Sequence, residues 1–133
     1  VIVLDASAAI EWLLQTSKAA DVEQRLFWGT TTARTWHAPD LIDIEVAQAL
    51  RTQVEAGVIS AVRGREALQD LMDLPLIRYS QDFLLPRIWE LREHLTLYDA
   101  AYVALAEVLD APLITCDGTL ADVPGHGAHV TVV

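Results

Sequence analysis

Apolar positions along the chain follow two rhythms, short continuous runs and longer stretches at helical spacing, and their order predicts the fold. Val1–Leu4 is an apolar run ended by Asp5, the signature of a buried strand. Helical spacing follows from Ser7 to about Gln15 and again over Ala19–Trp28, where Val22, Leu26 and Phe27 share a face. The stretch "GTTTART" predicts a turn, and a short strand, Trp36–Ala38, is stopped by Pro39. Asp40 is placed to cap a helix from about Leu41 to Ala56, with Gly57 ending it. Ser60 predicts the cap of the next helix, Ala61–Leu74, which Pro75 stops. A strand at Leu76–Tyr79 follows, then a helix over about Asp82–His94 with Pro86 near its first turn. The chain closes with a helix at Leu97–Leu109 and strands at Pro112–Cys116 and His129–Val133. Strands separated by helices pair in parallel, so the expected architecture is a three-layer α/β/α sandwich around a central parallel sheet. With no repeat, linker or low-complexity tract, residues 1–133 are expected to form a single domain.

Composition narrows the picture. Hydrophobic residues make up 53% of 133, and the mean hydropathy of +0.29 is high for a chain this short. No apolar run approaches the roughly 18 residues of a membrane span, so the surplus apolar surface points to a partner, a second copy or another chain. The start, "VIVLDASAAIEWLL", lacks a basic flank and carries Asp5 and Glu11, so it does not read as a signal peptide. A single cysteine, Cys116, closes no internal disulfide, which fits a reducing cytoplasm. The net charge of −10 argues against gripping nucleic acid by bulk charge.

The candidate chemistry lies in four acids. Asp5 and Asp117 each stand just past the carboxyl end of an expected strand. Glu45 lies in the second turn of the helix after Trp36–Ala38, and Asp99 in the first turn of its own helix. In open α/β sheets that edge is where ligands bind. Two unit charges about 4 Å apart repel by roughly 4 kcal/mol at an effective dielectric near 20. Converging carboxylates are therefore either protonated or hold a divalent cation, and an all-oxygen set suits Mg2+ or Mn2+ over zinc. Singly, Asp5 and Asp99 are also explained as helix-terminus acids and Asp117-Gly118 as a turn. Glu45 is not, because it falls within the apolar stripe marked by Ile42, Val46 and Ala49.

The segments "VIVLDASAAI", "PDLIDIEVAQAL", "LTLYDAAYVALAE" and "PLITCDGTLA", in that order and spacing, resemble the PIN-domain ribonucleases, specifically the VapC toxins of type II toxin–antitoxin pairs. The resemblance implies a Mg2+- or Mn2+-dependent endoribonuclease with Asp5, Glu45, Asp99 and Asp117 as its catalytic acids. Asp5, Asp99 and Asp117 would hold the metal, Glu45 would position a water or a second ion, and Ser7 and Thr115 would orient carboxylates or water. It also implies a cognate VapB-type antitoxin, commonly a homodimer, and no membrane association. Some relatives carry a further acid near the last one, whereas here Leu120 stands third after Asp117 and Asp122 lies further off.

For gripping RNA the candidates are Arg34, Arg51, Arg87 and Arg92, each of which also reads as ordinary solvated surface. Trp12, Trp28, Trp36 and Trp89 could stack on bases but more often such residues build cores and interfaces. Helices Ala8–Leu14 and Ala19–Phe27 are the expected antitoxin groove, their apolar faces exceeding what a small sheet covers. His126 and His129 lack the further ligands that zinc needs. A phosphoaspartyl enzyme would want a lysine, and Lys18 is remote from the acids; a haloacid-dehalogenase-type phosphatase would want Asp where Ser7 stands. The remaining alternative is a catalytically weak PIN-like module that binds RNA or a partner.

Overall fold

The computed structural model describes residues 1–27 and 34–133. Trp28 and most of the expected "GTTTART" turn lie outside them. Five parallel strands form the sheet, β1 (Ile2–Leu4), β2 (Trp36–Pro39), β3 (Leu76–Tyr79), β4 (Leu113–Thr115) and β5 (Val130–Val132), in the order β3-β2-β1-β4-β5. The registers are short, with Val3 facing both His37 and Leu113. The central strand β1 is wholly buried, as a strand covered on both faces must be.

Helices cover both faces, as the alternation of elements predicts. One layer holds α1 (Ala6–Leu13), α2 (Ala19–Phe27), α3 (Ile42–Glu55) and α4 (Ala61–Asp73), with α1 packed on α2 and α3, and α3 on α4. The other holds α5 (Leu85–Glu90) and α6 (Leu97–Leu109), with α6 lying across β1, β2 and β4. Small side chains allow that approach, since Ala100, Ala101, Ala104 and Ala106 are all buried there. A short α7 (Thr119–Asp122) follows β4. One turn carries too little periodicity to be seen in sequence.

Local chemistry explains where the elements depart from expectation. Pro39 is the last residue of β2, not the first beyond it, and pairs only toward Tyr79, so its missing N–H breaks no ladder bond to β1. Asp40 does not cap α3: Leu41 occupies the cap position, and Gln81 Oε1 accepts from the Leu41 N–H at 3.2 Å. Ser60 does cap α4, accepting from the Arg63 N–H at 3.0 Å, and Gly57, at φ +74°, ends α3 in the left-handed conformation glycine favours. The helix expected over Asp82–His94 is broken into a 3-10 turn, Asp82–Leu84, and α5, because Pro86 restarts the helix near its first turn. Past Glu90 the Arg92 guanidinium donates to the Trp89 carbonyl at 2.9 Å and the chain winds off in turns.

Two ionic ties join neighbouring elements, one between sheet and helix layer and one within a helix layer. Arg78 of β3 chelates the Asp43 carboxylate of α3 with Nε and Nη2 and also reaches the Leu71 carbonyl. Arg87 of α5 chelates Glu107 of α6 and donates to the Gly125 carbonyl at 2.8 Å, while Glu107 accepts the Gly127 N–H. Within the sheet, buried His37 bridges Thr35 Oγ1 at 2.8 Å and Tyr79 Oη at 2.7 Å.

Burial lowers the His37 pKa below its ordinary 6.5. The unfolded chain therefore takes up this proton first, so the His37 contribution to stability is intact above about pH 6.5 and lost as pH falls toward the folded value. Thermal melts between pH 7.5 and 5.5 should show a smaller acid loss in His37→Gln than in the parent chain, the difference not exceeding about 1.4 kcal/mol per pH unit. Parallel curves for the two would refute it.

Candidate active site

The carboxyl edge of the sheet is built around Asp5. It occupies the N-cap position of α1 with extended backbone, yet its side chain makes no cap hydrogen bond. Instead Asp5 Oδ2 accepts from Ser7 Oγ at 2.6 Å and Thr115 Oγ1 at 2.7 Å. Ser7 Oγ also receives the Cys116 N–H at 2.9 Å, and Thr115 Oγ1 the Asp117 N–H at 3.0 Å. The ends of β1 and β4 are thereby laced together through hydroxyls, and a helix cap is forgone to do it. Capping does not explain Asp5.

Asp99 is delivered by α6. Thr96 is that helix's cap, its Oγ1 accepting the Asp99 N–H at 3.2 Å, so the Asp99 carboxylate is not needed as a cap either. Burial first, then the charges of Asp5 and Asp117, raise its pKa, with Thr96 pulling the other way. Glu45 projects from the first turn of α3, not the second. Its pKa is raised by burial first and then by Asp5 and Asp99. Asp117 is the exception: its Oδ1 accepts from Thr119 N at 2.9 Å and Oγ1 at 2.7 Å, an Asx turn that opens α7.

Beneath the acids lies Tyr102, fully buried on α6 one turn beyond Asp99. The charges of Glu45, Asp5 and Asp99 all bear on its phenol and, after burial, push its pKa up. Tyr102 pulls the Glu45 pKa down, yet neither Glu45 Oε1 nor Tyr102 Oη completes a hydrogen bond of good geometry, and both are buried. Such an unmet buried group costs about 1–3 kcal/mol.

The acids share one face but stand apart. Among the described residues no three His, Cys, Asp or Glu side chains lie close enough to make a finished metal cage. Asp5, Asp99 and Asp117 are near enough for the charges of the first and last to bear on Asp99, while Ser7 and Thr115 engage Asp5 and Thr119 engages Asp117. The donors still fit a hard divalent cation. They are oxygens only, Glu45 and Asp99 are destabilised as anions by their neighbours, and Glu45 Oε1 is buried without a partner.

Other expectations fare differently. The arginines do not gather round the acids. Arg34 precedes β2, at the opposite end of the sheet, and donates to the Arg25 carbonyl. Arg51 pairs with Glu55 two turns past Glu45, and Arg87 is engaged by Glu107 and Glu90. Arg92, in the turn leading to α6, lies over the exposed Trp89 ring at 4.6 Å. Trp12 and Trp36 pack with Phe27, with centroids 5.0–5.8 Å apart, and are core residues. The apolar faces of α1 and α2, where the antitoxin groove is expected, pack in part on each other and on Trp36, while Phe27 of α2 stays exposed. Further large exposed apolar side chains lie on the α3–α4 hairpin (Ile44, Val58, Val62, Met72) and around α5 (Phe83, Leu85, Trp89). His126 braces a turn, bonded to the Leu120 carbonyl and the Ala128 N–H. Sequence reasoning missed Thr96, Thr119 and the role of Tyr102; T-x-x-D and D-G-T were visible as cap and turn signals, whereas nothing local marks what a core tyrosine faces.

The profile of the PIN domain family matches residues 2–126, so the chain belongs to the PIN-domain family. Solved structures agree on the fold: a Pyrobaculum aerophilum protein superposes with TM-score 0.66 at 20% identity, covering 91% of this chain and 84% of that one. VapBC-5 of Mycobacterium tuberculosis, from the VapBC toxin–antitoxin systems, gives 0.56 at 20% identity over 99% and 96%. Within the family its relatives are the VapC proteins. Ribonuclease VapC12 of M. tuberculosis is 43% identical over 100% of this chain and 99% of its own length. A VapC ribonuclease of Mycobacterium bovis is 40% identical over 100% and 98%.

Because Asp5 and Asp99 oppose ionised Glu45, replacing it by glutamine relieves the metal-free protein. Glu45→Gln should melt about 2–5 °C higher than the parent in EDTA. A lower melting temperature would show that the charge is compensated.

Proposed function

We propose that the chain is an endoribonuclease toxin of a type II toxin–antitoxin module, hydrolysing RNA phosphodiester bonds with carboxylate-held Mg2+ or Mn2+. The observation that carries this reading is Asp5: it stands at a helix cap and turns away from it into two hydroxyls, among acids that repel one another. The VapC names of relatives at about 40% identity over the whole chain support it.

In this reading Asp5, Asp99 and Asp117 hold the cation, which supplies charge neutralisation at the phosphate and a more acidic attacking water. Ser7 and Thr115 occupy Asp5 Oδ2 and so aim Oδ1 outward. Glu45, with its raised pKa, would orient the attacking water and accept its proton as the new phosphorus–oxygen bond forms and the bond to the leaving sugar oxygen breaks, that oxygen taking its proton from solvent. Arg92, stacked over the exposed Trp89 ring, would contribute charge and an aromatic face to an RNA contact. The exposed apolar side chains of α3–α4 and α5 are the surfaces for a VapB-type antitoxin and for a second copy. No helix among the described residues is long and apolar enough to cross a membrane.

The spacing of the acids favours one rival, a catalytically weak PIN-like module that binds RNA or a partner. Cleavage of total RNA by antitoxin-free protein in Mg2+, Mn2+ or EDTA separates the two. The nuclease reading expects discrete fragments that need metal and fall about 100-fold or more in Asp5→Asn and Asp99→Asn. Fragments unchanged in both variants, or none with intact metal binding, would favour the rival.

A further inference from the structure

Tyr102 presents a hydroxyl that the packing of the core does not call for. The residue is 0% exposed, the ring fills its site, and phenylalanine would fill the same space without burying an O–H. Its Oη finds no partner, and the Glu45 Oε1 beside it finds none. One orphan is a donor and the other an acceptor, and each is what the other lacks. Tyr102 lies inside α6, past its first turn, and Glu45 lies in the first turn of α3, so the two orphans come from different elements and meet only through the tertiary fold.

We propose that Tyr102 is a positioning residue of the acid site, its buried phenol O–H reserved for Glu45. Resting on the metal-dependent reading above, the inference assigns Tyr102 the inner side of the Glu45 carboxylate and leaves the outer side to the site. Position supports it. Asp99 and Tyr102 lie one turn apart on the same side of α6, so one helix brings an acid to the rim and a donor to the floor. The alanines that let α6 lie close to the sheet carry the phenol beneath Asp5, Asp99 and Glu45, whose charges all reach it. A hydroxyl serves here better than a cation, because it holds the carboxylate in place without cancelling the charge that a divalent ion would use. Outer partners of this kind commonly alter metal affinity about 10- to 100-fold.

The test is a double-mutant cycle with Tyr102→Phe, Glu45→Gln and both together, read by calorimetric titration with Mn2+ alone and by melting temperature in EDTA. Tyr102→Phe should weaken Mn2+ binding about 10-fold while keeping or raising the melting temperature, and should cost nothing further in the Glu45→Gln background. Equal losses in both backgrounds, or no loss in either, would overturn the proposal. Should the parent protein bind no Mn2+, the metal-dependent reading fails, and the cycle in melting temperature still decides whether the two side chains are coupled. Should Tyr102→Phe fail to fold, 3-fluorotyrosine at the three tyrosines, assigned through Tyr79→Phe and Tyr98→Phe, gives a second readout. The Tyr102 fluorine resonance should move in Glu45→Gln, and an unmoved one would overturn the proposal.

Discussion

Like charges brought to one edge of a parallel sheet are the constraint from which the rest of the site follows. Asp5, Glu45 and Asp99 feel one another's fields, and burial sharpens them. A domain stable by about 5–15 kcal/mol tolerates such a cluster only if the scaffold over-determines where each carboxylate sits. Asp5 is fixed by two hydroxyls, Asp99 by a separately capped helix, and Asp117 by its own turn. Glu45 alone lacks a completed tie, and it is the member nearest the buried phenol.

The core reads as the support for this arrangement. The short strands contribute few residues each, so the helices do most of the covering, and α6 is apolar on nearly every side. Its buried run Ala100–Ala106 lies beneath three strands, so Asp99 is carried on one of the least mobile elements of the fold. The Arg78–Asp43 pair performs a similar service for α3, pinning the helix that bears Glu45 to β3 two residues from its own start. Both ties are partly buried and bidentate, the geometry in which an ion pair fixes orientation.

Much of this was legible in the sequence, and the exceptions share a cause. Apolar runs and helical spacing placed every strand and the long helices to within a residue or two, because those patterns are local. The acids were legible for the same reason, as charges at the ends of apolar runs. Ser7 and Thr115 were nameable through the resemblance, but their shared acceptor depends on strand register across more than a hundred residues. The misplaced Asp40 cap shows the limit well: Asp is a favoured cap, but Gln81, forty residues on, took the role. The ionic partners of the arginines were not legible, because charge alone says nothing about which acid claims it: Arg87 pairs with Glu107 and Arg51 with Glu55.

The hydroxyl lacing between β1 and β4 carries one more meaning. Ser7, Asp5, Thr115 and the Asp117 backbone form an unbroken chain of short hydrogen bonds spanning two strand ends. Two strand ends that lie more than a hundred residues apart in the chain thus share one acceptor, so the placement of Asp5 is settled only once β1 and β4 have paired.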